Sequence, residues 1–128
     1  MESLPFKIKD LYYSFAEAIG LANFLDEKLV LEFRIEDVFL GIIKSKLKEY
    51  KYHIKDLESV TFEKKIFSSA LLVKARKMET FINFPGSRQG EIKMHIKRKN
   101  HYLAEQYVSH INLQISEHQL KQIEEDFI

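Results

Sequence analysis

Apolar and polar positions alternate with a period of two through most of the chain, then switch to a period near 3.6 after Asn100. That order predicts about seven short strands closed by one amphipathic helix. The segment Phe15 to Phe24 reads as the first strand, although Leu11, Phe15 and Ile19 also recur at helical spacing. It leads into Asp26-Glu27-Lys28, a plausible hairpin connection, and then into Leu29 to Glu36, where Leu29, Leu31, Phe33 and Ile35 share a face. The run Val38 to Ile43 is apolar without a clear period, a loop or a bulged strand.

Lys48 to Ile54 and Leu57 to Glu63 are the next strands, and Lys64 to Ser69 reads as a hairpin tip leading into a strand from Ser69 to Arg76. A short sixth strand is predicted around Thr80 to Asn83, before the loop Phe84 to Gly90. In that loop Pro85 has no ladder donor, and Gly86 and Gly90 tolerate positive φ. The seventh strand, Glu91 to Lys97, places Ile92, Met94 and Ile96 on one face. Connections this tight require antiparallel pairing.

Asn100 is a good N-cap for a helix over about 101–115, with Leu103, Ala104, Tyr107, Val108, Ile111 and Ile115 as its apolar stripe. The capping-box pattern at Ser116 to Gln119 points to a second short helix over about 117–126, with Leu120, Ile123 and Phe127 as its face; a continuation of the first helix is the alternative.

A chain of 128 residues is about one domain, 1–128, large enough for a core without staples. There is no cysteine, which excludes disulfides, thiolate metal sites and thiol nucleophiles. No apolar run approaches a membrane span and the first residues lack the basic-then-apolar pattern of a leader, so a soluble, cytoplasmic protein is expected. Net charge is +1, but unevenly spread: Met1 to Ile43 carries −4, Lys44 to Lys99 carries +9 and Asn100 to Ile128 carries −4. Such asymmetry can mark an anionic partner, although strands facing water are commonly dressed in Lys.

No catalytic constellation stands out. The five histidines, His53, His95, His101, His110 and His118, show no helical i, i+4 pair, so no metal site is expected, and no cofactor motif is present. Ser68, Ser69 and Ser87 lack a nucleophile-elbow context, and Asp26/Glu27 and Glu36/Asp37 have the adjacency of solvated turns. A non-enzyme is expected. Tyr50 and Tyr52 alternate with Lys51 and therefore point away from it into the core, which argues against a nucleic-acid stacking surface.

The unit Ile54 to Phe62, then Phe67-Ser68-Ser69-Ala70-Leu71-Leu72-Val73, then Phe84-Pro85-Gly86-Ser87-Arg88-Gln89-Gly90-Glu91 and a terminal helix, resembles the bacterial pleckstrin-homology-like (PH-like) domains over about Ile19 to Ser116. That resemblance implies a mainly β fold: a seven-stranded, bent antiparallel barrel or sandwich, here over about 15–98, with a C-terminal capping helix. It implies an oligomeric binding or scaffold module, with homo-oligomers and a possible protein partner. Lipid-binding relatives hold phosphoinositides with cations around the first hairpin loop, here read as the acidic Asp26-Glu27-Lys28. Anionic lipid is therefore the second choice, through other cations: Lys44, Lys46 and Lys48 with Lys51 in one cluster, and Lys64, Lys65 and Arg88 on loops expected to converge.

Overall fold

The computed structural model describes residues 1–43 and 45–127. Its strands are β1 (Leu4–Leu11), β2 (Ala16–Leu25), β3 (Lys28–Asp37), β4 (Lys48–His53), β5 (Leu57–Glu63), β6 (Ala70–Ala75) and β7 (Glu91–His95), followed by helix α1 (His101–Asp126). They form one antiparallel sheet in the order β4-β3-β2-β1-β7-β6-β5. β4 and β5 stand at opposite edges of that order, yet only the 3-10 turn Ile54–Asp56 joins them. Laid flat, the edges would lie roughly 29 Å apart at ~4.8 Å per strand. Three linking residues span about 13 Å. The sheet must curl, and because its edges do not pair it remains an open, bent sheet with a C-terminal helix packed against β5 and the 3-10 turn, an arrangement consistent with a PH-like fold.

Three sequence expectations are corrected. The first strand is Leu4–Leu11, not the segment from Phe15, so the strand region spans 4–95 rather than about 15–98. Leu4, Phe6, Ile8 and Leu11 are buried, with a register shift between Ile8 and Leu11 that keeps both inward. The loop of the first hairpin is consequently Tyr12 to Phe15, and Asp26-Glu27 turns the second.

No strand forms around Thr80 to Asn83. Met78–Phe81 is a 3-10 turn, which drops Phe81 and Phe84, three apart, into the core beside Tyr52. Finally, α1 continues unbroken through Ser116, because no Gly or Pro stops it and a capping pattern alone does not end a helix.

Ala104, Tyr107, Ile111 and Ile115 of α1 close the core. Tyr52 is buried, and Tyr50 packs against the core with its ring stacked on Phe33, as the alternation predicted.

Candidate functional site

The most built-up feature follows from a weak seam. β1 and β7 pair at a single position, Lys7 with His95. Pro5, which has no N–H for a ladder, lies where the two strands part. A cleft of about 360 Å³ opens there, walled by β1, the middle of β2, the β5–β6 hairpin and the residues leading into α1. Phe6 and Ile96 are its buried apolar lining, and Ile66 and Phe67 extend it as exposed side chains.

Six cations surround it: Lys7, Lys9, Lys65, Lys97, Arg98 and Lys99. Lys7 pairs with Glu17 at 3.3 Å and Lys65 with Glu63 at 3.5 Å. Lys9, Lys97, Arg98 and Lys99 form no ion pair among the described residues. Asn100, also in the lining, has a buried Nδ2 without a hydrogen-bond partner.

Ser68 Oγ lies 3.2 Å from His95 Nδ1 in the same cleft. Burial holds the His95 pKa below its ordinary value, with Lys9 and Lys93 adding to the effect and Asp10 opposing it. A serine beside a neutral imidazole has two members of a nucleophilic triad, but among the described residues no carboxylate hydrogen-bonds the other ring nitrogen. No local pattern announces this pair, which is 27 residues apart and joined only by strand register.

The second feature is an apolar tip where the β1–β2 and β3–β4 loops meet. Tyr12, Tyr13 and Phe15 from one, and Val38, Phe39, Leu40, Ile42 and Ile43 from the other, are all exposed. The loops are nevertheless ordered. Val38 N–H donates to the Phe15 carbonyl at 3.0 Å, Asp37 Oδ1 accepts from Phe39 and Leu40 N–H, and the Phe15 and Phe39 rings are 5.9 Å apart. Tyr12, Tyr13 and Ser14 all have left-handed φ, a costly conformation for non-glycine residues. Family models, curated proteins and solved structures give no match to this chain.

The third feature is α1 itself. With 3.6 residues per turn, Tyr102, Leu113, Leu120, Ile123 and Phe127 form a stripe roughly opposite the buried Ala104, Tyr107, Ile111 and Ile115. All five are exposed, and Leu113, Leu120 and Phe127 recur at intervals of seven. Beyond Ile115 the helix has no buried residue among those described.

The residues picked from sequence are only partly brought together. Lys44 lies outside the described residues. Lys46 follows the apolar part of the β3–β4 loop, and Lys48 opens β4 opposite Phe33. Lys65 lines the cleft, while Lys64 turns to Glu105 of α1 at 3.7 Å. Arg88 does not converge with them. It is bridged to Glu91 at the start of β7, which pairs with Lys74, whereas Lys65 lies near the other end, where His95 pairs with Ala70.

His53 and His118 come within 6.1 Å of each other by ring centroid, with Glu27 3.5 Å from His53. No group of three or more potential metal ligands forms among the described residues. None of their helices is long and apolar enough to cross a membrane.

Proposed function

We propose that this chain is a PH-like, non-catalytic binding or scaffold module that self-associates through the outward stripe of α1. One observation carries the reading: Leu113, Leu120, Ile123 and Phe127 stand exposed on the side of the helix roughly opposite the residues that meet the sheet. An apolar stripe on a helix is normally covered. Its last turns, after Ile115, have no core of their own, and an unsupported helix of that length is marginal in water. Spacing by sevens favours a second copy of the same helix as the cover, since matching repeats let two helices run side by side.

Strand-edge pairing has weaker support. The outer edge of β5 is engaged by α1 through Asn112, and β4 carries Lys48, Glu49 and Lys51, charges that discourage edge pairing. The test is light scattering on the intact protein and on Leu120→Glu/Ile123→Glu. Both side chains are exposed, so the variant should stay folded. An oligomer that becomes monomeric supports the reading; a wild-type monomer at high concentration, or a variant of unchanged mass, rejects it.

The apolar tip supports a second reading, peripheral binding of an anionic lipid surface, with Tyr13 and Phe39 entering the interface and Lys46 and Lys48 at the headgroups. Sedimentation with phosphatidylserine vesicles, lost on Tyr13→Ser/Phe39→Ser, would support it. Equal sedimentation of the variant would reject it.

A further inference from the structure

We infer that the cleft between β1 and β7 is a binding site for a single-chain amphipathic anion, a hydrocarbon tail ending in a carboxylate or phosphate. Four cations at its mouth, Lys9, Lys97, Arg98 and Lys99, form no ion pair within 4 Å among the described residues. Like charges gathered without an anion repel one another, so an anionic group placed among them relieves an existing cost as well as making new contacts. Asn100 adds a buried amide donor with no acceptor, a group that native structures normally satisfy.

The lining sets the rest of the ligand. Phe6 and Ile96 offer an apolar wall, and Phe67 stands 96% exposed on the hairpin beside it. That hairpin is not loose: Ser69 Oγ accepts from Lys65 N–H at 3.0 Å and donates to the Lys65 carbonyl at 2.9 Å. An aromatic ring held in water at the edge of a cleft is placed to close over a hydrocarbon chain. A volume of about 360 Å³ suits one small molecule. The site shares no residue with the apolar tip, and it lies at the opposite end of α1 from Leu120 and Ile123, so it is independent of self-association through those residues.

Calorimetric titration with octanoate below its micellar concentration tests this directly. Saturable one-to-one binding is expected, weakening about tenfold for hexanoate through loss of two buried methylenes. Octanol, which keeps the chain and drops the charge, should also bind about tenfold more weakly, as should octanoate to Lys97→Glu/Lys99→Glu. Both lysines are exposed, so that variant should melt like the wild type. Phe67→Ser should weaken octanoate and leave melting unchanged.

Absence of saturable heat would overturn the inference. So would inorganic phosphate binding as tightly as octanoate, or full affinity in the lysine variant. Displacement of octanoate by intact phosphatidylserine vesicles would overturn a free single-chain ligand in favour of a bilayer. The Leu120→Glu/Ile123→Glu protein should bind octanoate as the wild type does, which separates this site from the proposed oligomer interface.

Discussion

Asn112 acts as an eighth strand for one residue of the sheet: its Oδ1 accepts from the Val60 N–H at 2.9 Å, and its Nδ2 donates to the Val60 carbonyl at 2.7 Å. β5 is an edge strand, so these outward backbone groups have no neighbouring strand to meet. The amide satisfies both at once and fixes how α1 lies on the sheet. Asn112→Ala should destabilise the fold by about 1–3 kcal/mol, because two partly buried backbone groups lose their partner. Asn112→Asp keeps only the acceptor and should still be destabilising. Denaturant melts give the size of the loss, and accelerated amide exchange at Val60 would locate it; unchanged exchange would show that the contact is incidental.

Tyr107 ties the same helix to the opposite side of the sheet. Its hydroxyl lies 2.6 Å from the Glu2 carbonyl and 3.0 Å from that of Ala22, and burial pushes its pKa up to about 12. Tyr107→Phe should cost about 1 kcal/mol near neutral pH. In the folded state the phenol keeps its proton to higher pH than the unfolded chain, which releases it from about 10 upward. The contribution is therefore complete below that value and lost as pH rises to about 12. Alkaline melts should fall more gently for Tyr107→Phe than for wild type; parallel curves would contradict the assignment.

Most of the fold was legible where alternation is uninterrupted, as in Leu29 to Ile35 and Ile92 to Ile96, because burial on one face leaves a period of two. β1 was missed although Leu4, Phe6 and Ile8 alternate, because Pro5 argues against a strand and becomes tolerable only where β1 parts from β7. Its hairpin turn was missed because Tyr12, Tyr13 and Ser14 enter the left-handed region with neither Gly nor Asn to announce it. With the first loop at Tyr12-Tyr13-Ser14 rather than Asp26-Glu27, the acidic pair does not stand at the first hairpin and does not itself count against lipid. The cleft was illegible for a different cause: Lys9, Lys65 and Lys97 are remote in sequence and meet only through strand order.

His95 supplies a pH response of the opposite sign from Tyr107. Its pKa in the fold is lowered from 6.5, so on acidification the unfolded chain takes up the proton first. Stability from this group is fully present above that value and declines as pH falls toward the depressed pKa of the fold. Melting temperature should drop over that range, and His95→Gln should flatten part of the drop. Identical acid profiles for the two proteins would mean that His95 is solvated in solution.

Gly86 fixes the approach to β7. Its φ is +78°, and a Cβ there would stand 2.7 Å from Ile8 Cγ2 and 3.0 Å from Leu11 Cδ2, so a side chain meets both backbone strain and the packed underside of β1. Ser87 locks the turn by donating from Oγ to the Phe81 carbonyl at 2.6 Å. Gly86→Val should cost at least about 1–3 kcal/mol from the φ alone, with the clash added to it. Gly86→Ala keeps the strained φ and the Cβ contacts but lacks valine's two γ-methyls, so it should recover only part of the loss. Arg88 next to it is exposed and held through its backbone to Glu91, at 3.0 and 2.9 Å, so Arg88→Ala should melt like the wild type. A Gly86→Val protein with wild-type melting would show that the turn relaxes freely, and β7 would then owe its position to its strand pairing with β6 and β1 alone.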